Sequence, residues 1–245
     1  MAQSTTNSVP LKMQPNKGKE LAMHVGSEKY LRIPIKTRMI TEKDNIIEVM
    51  REYVGPFVSP GDILFVSEKV VCITQGRIVP FKDIKPTRLA RFLASKVDNK
   101  RGTKDFRGFG HGTSLGMQLF IEEAGVPRVL FAALVSAITR PFGIKGLFYV
   151  ISGKRAKAVD CPMSFTLYPY NHYGKRSPLH PNKVAREMSA AFGCEVVIVD
   201  ANYRGVFSLG KSRGAPSEKF IYQVFKDNPA GQSEEMTPFF IVRKE

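Results

Sequence analysis

Cysteine is scarce in this chain: Cys72, Cys161 and Cys194 are the only three in 245 residues, and no Cys-x-x-Cys pair occurs. So sparse and odd a set argues against a disulfide scaffold and against a zinc site, and it fits a reducing cytoplasm. Histidine is nearly as scarce. His24, His111, His172 and His180 include no pair at zinc spacing, and no Gly-x-Ser-x-Gly elbow or other serine–histidine arrangement accompanies them. Long apolar runs are also missing. The most apolar, VLFAALVSAI at 129–138, stops at Thr139-Arg140-Pro141. That is well short of the ~20 residues a bilayer crossing needs, so it reads as core, with no membrane partner. The opening MAQSTTNSVPLKMQPNKGKE has no apolar stretch of the signal-peptide kind. Acid is in short supply as well: 22 Asp and Glu face 37 Lys and Arg, a net charge of +15. The excess points to an anionic partner, whether nucleic acid, nucleotide or phosphorylated metabolite, or else to a generally basic proteome.

What is present has the proportions of a folded protein, 43% hydrophobic and 24% charged. Residues 1–27 read as a disordered tail. Alternation and β-branching predict a strand over 30–40, and the spacing of Ile46, Ile47, Met50 and Val54 predicts a helix over 42–54 capped by Thr41. ILFVSEKVV reads as a strand and Gly76 as a turn. KPTRLARFLASKV, 85–97, reads as an amphipathic helix, and 117–125 as another. Helix is expected early in 129–151, then a strand LFYVI at 147–151, a short strand AKAVD at 156–160, and a loop from SFTLYPYNHY onward. A helix is expected over 182–193, with Asn182 as its cap and Gly193 just past its end. VVIV, 196–199, has no polar alternation and reads as a strand buried on both faces.

Two acids each end a short apolar β segment, Asp160 and Asp200. Carboxylates at strand ends suit Mg²⁺ or Mn²⁺ on a nucleotide; equally, each acid can cap a turn or pair with a nearby Lys or Arg. GVFSLGKS, 205–212, matches the phosphate-binding G-x-x-x-x-G-K-[ST] pattern literally. ANYR separates it from the preceding strand, however, and Arg213-Gly214-Ala215-Pro216 follows where a helix should begin, so a coincidental match is favoured over a P-loop hydrolase. The basic clusters 96–107, 154–157 and 211–213 suit nucleic acid, an anionic ligand or plain solvated surface. YPYNHY, 168–173, could stack a base or pack on the core, and FGHGTS, 109–114, could cradle an anion or be a flexible loop.

The order IKTRMI, GDILFVSEKVVCITQGRIV, a basic helix, AVD and VVIVDANYRG is similar to the F420-0:gamma-glutamyl ligase family (coenzyme F420:L-glutamate ligase) over roughly residues 30–212. The resemblance implies an α+β fold with a mixed, largely antiparallel sheet and flanking helices, spanning 28–225 and followed by a C-terminal segment at 226–245. It also implies a homodimer. The activity it implies is attachment of L-glutamate to a phosphorylated coenzyme F420 precursor, with GTP as co-substrate and Mg²⁺ or Mn²⁺ as cofactor. The acceptor is activated as an acyl phosphate and the glutamate amine attacks it. By the same resemblance Asp160 and Asp200 are metal ligands. Arg38, Met39 and Ile40, then Ser67, Glu68 and Lys69, fall on the family's nucleotide-contacting segments; Lys69, Arg77, Arg204 and, from the literal phosphate-binding match, Lys211 are the candidate phosphate contacts. The pattern departs at Ala201, where the family has threonine, at Gln75 for glutamate, and at Ile73, where it has a nucleotide-binding lysine. Asp160 is followed by Cys-Pro rather than Ser-Asn, and the family's long C-terminal portion finds no counterpart. A related ligase with another acceptor, or a non-catalytic nucleotide- or nucleic-acid-binding relative, are the alternative readings.

Overall fold

The computed structural model describes residues 13–97, 110–163, 167–202, 205–231 and 234–245. In chain order the elements are strands β1 (Ala22–Val25) and β2 (Glu28–Ile35), helix α1 (Ile46–Tyr53), strand β3 (Ile63–Ser67), helix α2 (Glu68–Thr74) and strand β4 (Ile78–Pro80). Helices α3 (Arg88–Lys96), α4 (Ser114–Ala124), α5 (Val126–Thr139), α6 (Leu147–Ser152) and α7 (Lys154–Lys157) follow, then strand β5 (Tyr173–Lys175) and helix α8 (Pro181–Phe192). Strands β6 (Glu195–Asn202) and β7 (Gly205–Lys211), helix α9 (Glu218–Phe225) and strand β8 (Phe239–Lys244) complete the order. The chain divides into two compact units. One comprises the described residues up to Ser67, with His180–Gly231 and Glu235–Glu245; the other is Glu68–Leu179 with the described end of Gln232–Glu234.

The first unit is built on a six-stranded sheet, order β1-β2-β8-β3-β6-β7. Only β3 and β6 run parallel; the other neighbours are antiparallel, which gives the expected α+β, largely antiparallel architecture. The unbroken apolar run of β6 is explained by cover on both faces. Val197 and Val199 join Phe65, Phe240 and Val242 against Ile221, Val224 and Phe225 of α9, where Phe65 and Phe225 stack at 4.4 Å. Val196 and Ile198 point the other way and are equally buried, and α8 packs along β6 and β7, burying Ala185 and Met188. The cap of α1 is Asn45, whose side chain accepts from Ile47 N and Glu48 N, and not Thr41. α8 begins at Pro181 after His180, so Asn182 is not its cap; Gly193 does close it, at φ 67°.

The predicted disordered tail is corrected over its described part. Ala22–Val25 pair with β2, and Asn16 donates to Pro229 O and Thr237 Oγ1, both at 2.8 Å.

Among its described residues the second unit has two cores. One joins Ala90, Leu93 and Ala94 of α3 to Met117, Phe120 and Ile121 of α4, Val129 of α5 and Ala156 of α7. The other joins Ile84, Leu119, Val159 and Cys161. Three strand predictions fail here. The ILFVSEKVV strand ends at Ser67 and turns helical at Glu68; LFYVI is helix α6; AKAVD is the helical turn α7 followed by an isolated bridge between Asp160 and Lys175. The predicted core segment 129–138 is core on one side only. Val129 and Ala132 are buried, whereas Phe131, Leu134 and Ile138 are each 59% exposed. No helix among the described residues is long and apolar enough to cross a membrane.

Candidate functional site

Two of the residues singled out from sequence, Glu68 and Lys69, meet a third, Asp160, in the second unit. Glu68 opens α2, where a first-turn acid is favourable. It is fully buried, and Cys72, one turn on, has its Sγ 3.3 Å from Glu68 Oε2. Its partner is Lys175 of β5, also fully buried: Lys175 Nζ donates to Glu68 Oε2 at 2.8 Å and to the carbonyl of Ala158. Glu68 Oε1 lies 2.7 Å from the same ammonium as an ion contact but lacks hydrogen-bond geometry. Burial pushes the Glu68 carboxyl up, while Lys175 opposes that shift. Asp160 is tied to Lys175 by both backbone bonds of the bridge, 3.2 and 2.8 Å. Its carboxylate, 37% exposed, lies 3.8 Å from Lys175 Nζ and 3.9 Å from Lys69 Nζ.

This cluster balances two carboxylates against two ammonium groups. A divalent cation held by Asp160 alone would face both lysines, so the residues fit a cation that arrives with negatively charged phosphates rather than one held in an all-protein cage. No group of three or more His, Cys, Asp or Glu side chains converges among the described residues. Lys175 escaped sequence reasoning because it lies in a stretch read as loop; a lone lysine there carries no signal until β5 pairs with β4 and buries it.

Asp200 lies in the first unit. It is not at a strand end: β6 continues to Asn202, and Asp200, 8% exposed, pairs with Phe207 of β7. Arg38 forms a two-pronged pair with Asp44, at 2.9 and 2.7 Å, which holds that carboxyl well below its ordinary range. Met39 is half-buried and Ile40 is buried. Ser67 ends β3, its N–H donating to Pro238 O. Arg77 pairs with Glu123 and donates through Nε to Ser177 O at 3.0 Å. Ile73 is buried in α2, so the position of the family lysine is a core position here. Arg204 lies outside the described residues.

The literal P-loop match is a strand. Gly205–Lys211 form β7, and each remaining residue of the motif has a structural partner. A Cβ on Gly210 would stand 2.4–2.5 Å from the backbone of Pro181. Lys211 N donates to Asn182 Oδ1, Lys211 Nζ pairs with Glu218 at 3.2 Å, and Ser212 Oγ accepts from Val196 N. FGHGTS is not a loose loop in its described part, because Thr113 caps α4 and His111 packs on Phe120 at 4.7 Å. In YPYNHY, Tyr170 is buried and Tyr168 is 74% exposed.

The fold and this cluster together define an α+β protein with a mixed, largely antiparallel sheet and a lysine–carboxylate site. Residues 34–131 match the family described as F420-0:Gamma-glutamyl ligase, and over that stretch the chain is similar to it. The match takes in β3, α2 and the Glu68–Lys69 part of the cluster, and it supports a ligase function in general terms. No curated protein matches the chain.

Proposed function

We propose that this protein is a GTP-dependent amide-bond-forming ligase that joins L-glutamate to a phosphorylated coenzyme F420 precursor or a related acceptor. It would work as a homodimer in the cytoplasm. The observation that carries the reading is the Glu68–Lys175–Asp160–Lys69 cluster, half of which lies inside the family match. In this reading Lys69 meets nucleotide phosphate, and the Asp160 carboxylate holds Mg²⁺ or Mn²⁺ delivered with it. Lys175, neutralised by Glu68, fixes where Asp160 stands. The cation, when bound, offsets negative charge on the phosphates during transfer. Asp200 is a separate candidate ligand, tested on its own.

Calorimetric titration of GTP with and without Mn²⁺ tests the reading. Metal-dependent binding should weaken at least tenfold in Asp160→Asn, with far-ultraviolet circular dichroism unchanged. Equal binding by wild type and variant removes Asp160 from the site, and Asp200→Asn asks the same question of the other acid.

A second reading has a specific observation behind it. Arg38, Arg77 and Lys211 are already engaged with Asp44, Glu123 and Glu218, and Ile73 is core. These features favour a relative that has lost the ligase chemistry. Absence of GTP binding under either condition, with RNA binding that falls steeply as salt rises, would establish it.

A further inference from the structure

Helix α5 is apolar nearly all round, Arg128 being the one charge within Val126–Thr139. A helix of that kind is normally covered on every side. One side is: Val129 and Ala132 are buried. The other carries Leu130, Phe131, Leu134 and Ile138 at 48–59% exposure, and the turn directly after it adds Phe142 at 80% and Ile144 at 50%. Charge decides what suits this face. Between Glu123 and Asp160 the chain has no acid, but it has Arg128, Arg140, Lys145, Lys154, Arg155 and Lys157. Arg128, Arg140, Lys145 and Lys154 are exposed, and among the described residues only Arg155 of these pairs with an acid, Glu123.

We infer that α5 and the turn after it dock on the surface of a bilayer containing anionic phospholipid, with the apolar stripe in the outer acyl chains and the basic residues at the headgroup phosphates. An apolar face flanked by lysine and arginine alone complements that surface twice over, in its apolar layer and in its charge. Other occupants match one property only. A nucleic acid would meet the charges but leave the apolar side chains in water, and a second copy of this segment would set positive charge on positive charge. The 14 residues of α5 span about 21 Å, short of a ~30 Å hydrocarbon core, so the helix lies in the plane of the interface and does not cross it. The run that is too short to span a membrane is thus suited to rest on one. Phe142, the most exposed of the six apolar side chains, follows Arg140 and precedes Lys145, so its ring enters the acyl boundary where two cations meet phosphate. The chain's net charge of +15 draws it to the same surface from a distance. The inference rests on this face and not on the ligase reading, which the titration of GTP judges separately.

Flotation of the full chain with vesicles of phosphatidylcholine, alone or mixed with phosphatidylglycerol, is the test. The expected result is binding to the mixed vesicles that weakens several-fold between 50 and 500 mM NaCl, with little binding to phosphatidylcholine alone. Leu134→Ser and Phe142→Ser, uncharged changes at exposed positions, should each weaken that binding several-fold with the melting temperature little changed. An environment-sensitive dye on Phe142→Cys should brighten and shift to the blue when the mixed vesicles are added, against a background of three buried native thiols. Failure to float with the mixed vesicles at the lower salt overturns the inference. So does flotation that both serine variants retain in full with no change in the dye, which would reduce it to adsorption of a basic protein. A dimer in sedimentation velocity that both serine variants dissociate would give the face to a second copy and overturn the inference as well.

Discussion

Lys175 and Glu68 are a buried ion pair, and removing one member leaves the other charge without compensation. Lys175→Met should lower stability by about 3–5 kcal/mol in urea at neutral pH, and adding Glu68→Gln should restore much of it. The variant's pH dependence has a definite sign. Burial raises the Glu68 carboxyl in the folded state, and Lys175 no longer opposes it. The folded form then holds its proton longer than the unfolded one, so stability is greatest in acid and is lost as pH rises through the folded value. Asp44 behaves oppositely. Its carboxyl is held low first by the hydrogen bond from Arg38, so its contribution is present above the ordinary carboxylate range and lost as pH falls. Asp44→Asn should therefore flatten the loss of stability between pH 5 and pH 3, measured by urea midpoints.

At the scale of elements, Gly210 separates two accounts of one motif. If its role is to let β7 pass beneath Pro181 at the start of α8, Gly210→Ala should cost about 1–3 kcal/mol of stability and Lys211→Ala should leave nucleotide binding intact. A phosphate loop would reverse both outcomes. β6 was legible in the sequence because its burial on both faces leaves an unbroken apolar run. The basic helix α3 was legible because Ala90, Leu93 and Ala94 recur at helical spacing. α6 was not. Its β-branched and aromatic residues suit a strand, but Phe148 and Tyr149 lie 5.2 and 5.9 Å from Phe120 of α4, and that packing outweighs local preference. Likewise the step from β3 to α2 cannot be read in SEKVV, because the partner that stabilises a buried Glu68, Lys175, lies over a hundred residues away. The candidate site was thus half legible: Lys69 and Asp160 stand together, but the residue joining them was invisible.

For the whole molecule, a net charge of +15 means that the folded chain repels itself. Raising NaCl from 50 to 300 mM should lift the melting temperature by a few degrees, followed by differential scanning fluorimetry, whether or not nucleotide binds. The α+β class follows from the local patterns and the family likeness, but the strand order does not. It depends on pairing between segments distant in the chain, above all β2 and β3 with β8. That arrangement has a consequence for biosynthesis. The strand lying between β2 and β3 leaves the ribosome after every other strand of the sheet. Until it emerges, β2 and β3 each present an open edge to solvent, and the nascent chain is most exposed to aggregation just before it can close its own sheet.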